Sequence, residues 1–185
     1  MGISWASCVK NAENMEGRPP NYNSWQPGSS YTATIQNKAG DYLTSYIDDD
    51  DDDADVMFVP FAAKDPGVCD YTITEYNNTN DSPLSVAITF RVKEKTYRLC
   101  SNMKRDKKKI RQLCVKKRDL PPDKIHGTHC SFLFYMKNLS EDLYELQCAD
   151  GLEQYLSYRK QKHAILKTVA VIHLDETCHM TISRN

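Results

Sequence analysis

Thr34-Ile-Gln-Asn-Lys-Ala-Gly-Asp-Tyr-Leu-Thr-Ser45 reads as a strand, a polar turn, and a second strand that opens on Tyr, Leu and a small polar residue. The same form returns at Thr89-Phe-Arg-Val-Lys-Glu-Lys-Thr-Tyr-Arg-Leu-Cys-Ser101 and at Tyr144-Glu-Leu-Gln-Cys-Ala-Asp-Gly-Leu-Glu-Gln-Tyr-Leu-Ser157. The three opening tyrosines, Tyr42, Tyr97 and Tyr155, stand 55 and then 58 residues apart. Self-similarity at a steady period marks a fold built from a repeated unit.

Strand patterns fill the chain on either side of these segments. Ser85 to Val92 alternates Val86, Ile88, Phe90 and Val92 with Ser85, Ala87, Thr89 and Arg91, a period of two that predicts a half-buried strand. Further strands are expected over Tyr31–Gln36, Tyr42–Ile47, Val56–Phe61, Tyr71–Tyr76, Thr96–Cys100, Ile110–Val115, Cys130–Lys137, Leu143–Cys148, Tyr155–Tyr158, Ala164–Ile172 and His179–Ser183. No segment carries a long capped pattern of period 3.6, so helices are expected to be short and confined to loops. Twelve strands in three four-strand units are the plan of a β-trefoil, in which six strands close a barrel and six more form hairpins that cap one end. A β-sandwich is the alternative, since short strands with regular turns also suit it. The expected division is a pro-segment or flexible tail over residues 1–30 and an all-β domain over 31–185.

Length and composition agree with one folded domain. The chain has 185 residues, 40% of them hydrophobic and 10% aromatic, too apolar for a wholly disordered protein. With 24 basic against 25 acidic side chains it lacks the positive excess of a general DNA or polyanion binder. No run approaches the roughly 18 apolar residues of a membrane helix, and the start Met1-Gly-Ile-Ser-Trp-Ala6 lacks the apolar core of a secretory leader. Synthesis in the cytosol is the expectation, with the seven cysteines as thiols because none sits in a CxxC pair. His126, His129 and Cys130, and Cys178 beside His179, lack the spacing that places two ligands on one zinc ion, so no metal and no cofactor is expected.

Two charge blocks interrupt the strands. Seven of the eight residues from Asp48 to Asp55 are Asp, and nine of the fifteen from Lys104 to Arg118 are basic. Like charges at that density repel and favour an open, solvated loop, so neither block serves stability. The acidic block fails as an EF-hand loop, with Asp53 where Gly is needed and Val59 where Glu is needed. The basic block suits a heparan sulfate patch, a nuclear localisation signal or a receptor-facing surface. Nothing in the chain has the form of a GxSxG elbow, a phosphate-binding loop or an HExxH motif, and no enzyme is expected.

The stretches Ser85-Val-Ala-Ile-Thr-Phe-Arg-Val-Lys-Glu-Lys-Thr-Tyr-Arg-Leu-Cys100, Leu120-Pro-Pro-Asp-Lys-Ile125, Cys130-Ser-Phe-Leu-Phe-Tyr135, Leu143-Tyr-Glu-Leu-Gln-Cys148 and Tyr155-Leu-Ser157 together resemble the interleukin-1 family of cytokines, and within it the interleukin-18 branch. The Pro-Pro-Asp-Lys-Ile step is the most specific of these, and the order of strands is similar over about residues 31 to 183. The resemblance implies a β-trefoil, release from the cytoplasm by a nonclassical route, and a monomer that binds a pair of TIR-containing receptor chains to start inflammatory signalling. It also implies a primary receptor site at Thr34, Gln36, Lys38 and Asp41 with the acidic loop Asp48, Asp49, Asp50, Asp51, Asp52 and Asp53. Basic residues of the later hairpin, Lys104, Arg105, Lys108 and Lys117, would then face the accessory chain. A soluble binding protein is a further partner of the kind it implies. Two other functions remain open, a heparin-binding module of the growth-factor kind and a receptor antagonist of the same family.

One departure from the family pattern has a consequence for maturation. Interleukin-18-like precursors are cut by caspases after an Asp just before the first strand, whereas residues 1 to 40 hold Glu13 and Glu16 but no Asp. The expectation is activity without caspase processing, or cleavage by another protease within Gly17 to Ser30.

Overall fold

The computed structural model of the chain describes residues 24–47, 54–61, 67–78, 83–101, 110–117, 125–127, 129–159, 163–168 and 175–185. Among them are thirteen strands: β1 (Ser24–Asn37), β2 (Tyr42–Ile47), β3 (Ala54–Val59), β4 (Tyr71–Asn78), β5 (Ser85–Val92), β6 (Lys95–Ser101), β7 (Ile110–Lys117), β8 (Ile125–His126), β9 (Leu133–Ser140), β10 (Leu143–Cys148), β11 (Gln154–Tyr158), β12 (Ala164–Thr168) and β13 (His179–Arg184). The one short helix described is a 3-10 turn at Glu176–Cys178.

Strand pairing defines the architecture. β1 pairs with β4, β4 with β5, β5 with β9, β9 with β10, β10 with β13, and β13 returns to β1, all antiparallel. These six strands close a barrel. The hairpins β2–β3, β6–β7 and β11–β12 grow from β1, β5 and β10, and β12 pairs with β7 between two of them. Met57 of β3 bridges to His163 just before β12, so the three hairpins converge at one end. Three four-strand units and a capped barrel make the fold a β-trefoil, the architecture the repeat predicts.

The repeat works because its residues occupy equivalent core positions. Leu43 and Leu156, directly after their tyrosines, and Leu99, two residues after Tyr97, are buried in one cluster with Ile35, Phe58, Ile88, Phe90, Phe134 and Ile182. Tyr97 lies almost flat on Phe90 with ring centroids 5.5 Å apart, and Tyr71 meets Phe90 edge-on at 5.6 Å. The small polar residues after each leucine are buried as well, and two find partners elsewhere in their own unit. Ser45 shares a 2.8 Å hydrogen bond with the Tyr71 hydroxyl, and Ser157 one of 2.8 Å with Thr177.

The structure departs from the sequence reading in three places. β1 begins at Ser24 rather than Tyr31, so the expected division at residue 30 falls inside a strand. The cause is Trp25, which is completely buried, donates from its indole nitrogen to Ser85 Oγ at 3.1 Å, and pairs across the ladder with Ile125. Second, β5 is not half-buried. Ser85, Ala87 and Thr89 are covered as fully as the core-facing Val86 and Ile88, because Trp25, Tyr76, Ile125 and Leu133 pack over Ala87 as a second cluster. Third, the expected strand at Cys130 starts at Leu133, while the Cys130 amide donates to the Ala149 carbonyl at 2.7 Å. Residues 169–172 of the strand expected over Ala164–Ile172 lie outside the described residues.

Trp25 therefore belongs to the folded domain, and Trp25→Ala is expected to lower stability by about 3–5 kcal/mol in urea unfolding. A chain beginning at Tyr31 should lose at least as much. Equal stability of that shortened chain would show that Ser24–Ser30 is a dispensable tail.

Candidate interaction surface

Four of the expected contact residues, Thr34, Gln36, Lys38 and Asp41, are described in the first unit. Along β1 the side chains of Ala33, Ile35 and Asn37 are buried, which puts Thr34 and Gln36 on the opposite, half-buried face. There they lie across from Ser183 and Thr181 of β13. The chain then reverses at residues 37–41. Asn37 organises the reversal, because its side-chain oxygen accepts from the Ala39 amide at 2.9 Å and from the Asp41 amide at 3.0 Å. Its backbone bonds to Gly40 and Asp41 close the loop at 3.0 and 2.9 Å. Gly40 has φ +81°, a left-handed conformation that glycine adopts without strain. The result holds Lys38 out in solvent and Asp41 at the start of β2.

A run of charge surrounds this turn. Lys38 pairs with Glu176 of the 3-10 turn. Beside it, Lys167 Nζ lies 2.6 Å from Asp175 Oδ2, and Asp175 caps the turn by accepting from the Thr177 amide at 3.0 Å. The Lys167 ammonium, then the Thr177 hydroxyl, hold the Asp175 carboxyl below its ordinary value, against a small opposing effect of burial. Glu176 is lowered too, first by its hydrogen bond from Lys38. Further along, the buried Glu145 carboxylate sits 3.3 Å from Lys137 Nζ and 3.6 Å from His179 Nε2. On the barrel wall Arg184 lies over the Tyr31 ring at 3.9 Å and 3.7 Å from Glu75, which also accepts from Ser29 at 2.6 Å. Most of these pairs are solvent-exposed and worth under about 1 kcal/mol each, so they set the pattern of charge a partner meets more than they hold the fold.

Thr34, Gln36, Lys38 and Asp41 thus share one strand and its turn. Lys117 stands apart from them, exposed at the end of β7 opposite Tyr97 in the second unit. Asp48 to Asp53, and Lys104, Arg105 and Lys108, lie outside the described residues. Sequence reading missed Asn37, Asp175 and Glu176, which shape the ordered patch. The Asn-x-x-Gly spacing of a tight turn and the Asp-x-Thr of a helix cap were the available signals. Among the described residues no group of three or more His, Cys, Asp or Glu could hold a metal ion.

Known structures share this architecture. The chain superposes on a hydrophobic-cavity mutant of chicken interleukin-1 with TM-score 0.61 at 9% identity, over 86% of this chain and 99% of that one. Against the chicken cytokine interleukin-1β the TM-score is 0.59 at 10% identity, with the same coverage. The designed threefold-symmetric protein ThreeFoil matches with TM-score 0.52 at 11% identity, over 82% of this chain and 96% of that one. The chain therefore has an interleukin-1-like β-trefoil fold. No protein-family model and no curated protein sequence matches it.

The Asp175 cap gives a pH dependence of known sign. Its folded pKa lies below the ordinary 3.8, so its contribution is complete above that value and disappears as pH falls through the folded pKa. Asp175→Asn should cost under about 1 kcal/mol near neutrality, and the gap to the parent in urea unfolding should narrow below about pH 4. A gap that stays constant down to pH 2 would mean that the carboxylate charge plays no part.

Proposed function

We propose that this chain is a cytokine of the interleukin-18 type. It binds the interleukin-18 receptor α chain as its primary receptor and the β chain as accessory, and brings their TIR domains together to start inflammatory signalling. The observation that carries this reading is positional. Four segments that resemble the interleukin-18 branch in sequence, Ser85–Val92, Lys95–Ser101, Ile125 and Leu143–Cys148, all supply core or ladder residues of an interleukin-1-like trefoil. Ile125, the last residue of the Pro-Pro-Asp-Lys-Ile motif, pairs with Trp25.

The surface suits two partners at once. Thr34, Gln36, Lys38 and Asp41 form one patch on the first unit, and Lys117 marks another on the second hairpin, so two receptor chains would meet different sides of one rigid barrel. The acidic loop joins the first patch in this reading, and Lys104, Arg105 and Lys108 the second. Rim charges of this kind raise the association rate and select partners, while affinity comes mainly from apolar anchors. A soluble binding protein would compete at the first patch, and the protein acts as a monomer. In this reading a cytoplasmic precursor reaches the cell exterior by a nonclassical route. Where the chain is processed at all, the cut would fall before Ser24, because a cut further downstream would remove the buried Trp25.

Surface plasmon resonance against the interleukin-18 receptor α ectodomain of the same organism tests this at physiological salt. The full chain and a chain beginning at Asn23 should both bind. Thr34→Ala with Gln36→Ala, or reversal of Asp48 to Asp53 to lysine, should weaken binding about tenfold or more. Lys104→Glu with Lys117→Glu should leave α-chain binding intact and reduce signalling in receptor-bearing cells, and retained binding without signalling by the parent chain would make it an antagonist. Absence of α-chain binding, with salt-sensitive retention on heparin, would contradict the proposal in favour of a glycan-binding module.

A further inference from the structure

Cys100 of β6 and Cys114 of β7 are direct cross-strand partners. Their sulfurs stand 2.9 Å apart, against roughly 2.05 Å in a disulfide bond. Directly opposed residues of an antiparallel ladder have Cα atoms about 4.5 or 5.5 Å apart, and both spacings fall within the roughly 4.4–6.8 Å that a disulfide spans. A rotation of the side chains is then enough to join them, with no movement of the strands. The neighbours Leu99, Leu113 and Val115 point into the core, so the two thiols share the other face of the hairpin. Cys100 is buried there, whereas Cys114 is half-exposed and is the thiol that a reagent meets first.

We propose that Cys100 and Cys114 form an intramolecular disulfide when the protein meets a small disulfide oxidant of the glutathione class. The Cys114 thiolate attacks one sulfur of the oxidant, forming a mixed disulfide and expelling one glutathione thiolate. The Cys100 thiolate then attacks Cys114 Sγ, closing the protein disulfide and expelling the second glutathione. Two protein thiols lose two electrons, the oxidant is reduced to two thiols, and the two protons released by the cysteines end on them. Lys116 follows Cys114 on the same face of β7 and lies across from Arg98, so the pair sits beside positive charge that attracts an anionic oxidant.

The other described cysteines are poor competitors. Cys148 faces Phe134 across its ladder, and burial above all pushes its thiol far above the ordinary range. Cys178 is likewise raised by burial, Cys130 is buried near that same Cys148 thiol, and Cys69 has no cysteine opposite it in any described ladder. Reducing cytosol would keep the pair as thiols and an oxidising exterior would join it. The bond would make a closed ring of the sequence that carries Lys104, Arg105, Lys107, Lys108, Lys109 and Arg111. The bond itself does not depend on the receptor reading, whereas any effect of the ring on accessory-chain engagement rests on it.

The test uses the full chain, purified with reductant and then exposed to oxidised glutathione at neutral pH, followed by alkylation and non-reducing tryptic mapping. Cleavage after Lys104 and Arg111 puts Cys100 and Cys114 on separate peptides, Leu99–Lys104 and Gln112–Lys116, which only a disulfide would hold together. The expected result is that linked pair, a loss of two of the seven titratable thiols, and a Tm higher by roughly 5 °C. Cys100→Ser should stop at the glutathione adduct on Cys114, since no second thiol remains to expel it. Full alkylation of both cysteines after oxidation, or their linkage to other cysteines, would overturn the proposal.

Discussion

Closure of the barrel by β1 is the constraint on which the remainder of the molecule depends. One strand pairs with β13 over Ala33–Asn37, with β4 over Trp25–Ala33, and with β8 at Ser24 and Trp25. It joins the first unit to the last and removes the edges that β4 and β13 would otherwise expose. Its irregularity between Pro27 and Ser30 is what lets one strand serve both the barrel wall and the outer cluster around Trp25. Almost all of these contacts are between residues distant in the chain, so the barrel must pay its loop-closure entropy before the core rewards it.

Repetition in the interior leaves the exterior free to diverge. Leu43, Leu99 and Leu156 are buried in the shared core, and Ser45 and Ser157 after two of them hydrogen-bond to Tyr71 and Thr177 of the same unit. The hairpin ends share no such requirement. One unit carries an asparagine-organised turn beside a charged 3-10 cap, and another carries a cysteine pair at the base of a lysine-rich segment. A pseudo-symmetric core thus presents chemically different surfaces at different units, an arrangement that lets one fold engage different partners on different sides.

Where side-chain period and turn chemistry are local, the sequence was legible. The strands from Tyr42 to Arg184, apart from the two-residue β8, follow alternation and the three Tyr-Leu-polar openings, and the trefoil follows from their spacing. What escaped were features made by distant partners. Trp25 lies among Pro, Asn and Gly residues that read as a tail, and only the arrival of Ile125 and Ser85 turns Ser24–Ser30 into a strand. The outer face of β5 likewise reads as exposed until that indole covers it. For the interaction surface, Thr34, Gln36, Lys38 and Asp41 fall on one strand and its turn, close together in the sequence itself, whereas Asp175 and Glu176 reach that turn through tertiary packing alone.

Amide hydrogen exchange and cross-strand NOEs on the labelled full chain test the closed barrel most directly. The account predicts slow exchange along Ala33–Asn37 and Met180–Ile182, NOEs between Ile35 and Ile182, and NOEs between Trp25 and Ile125. Rapid exchange of both β1 and β13, with no NOE between them, would mean two open sheet edges and would contradict the trefoil.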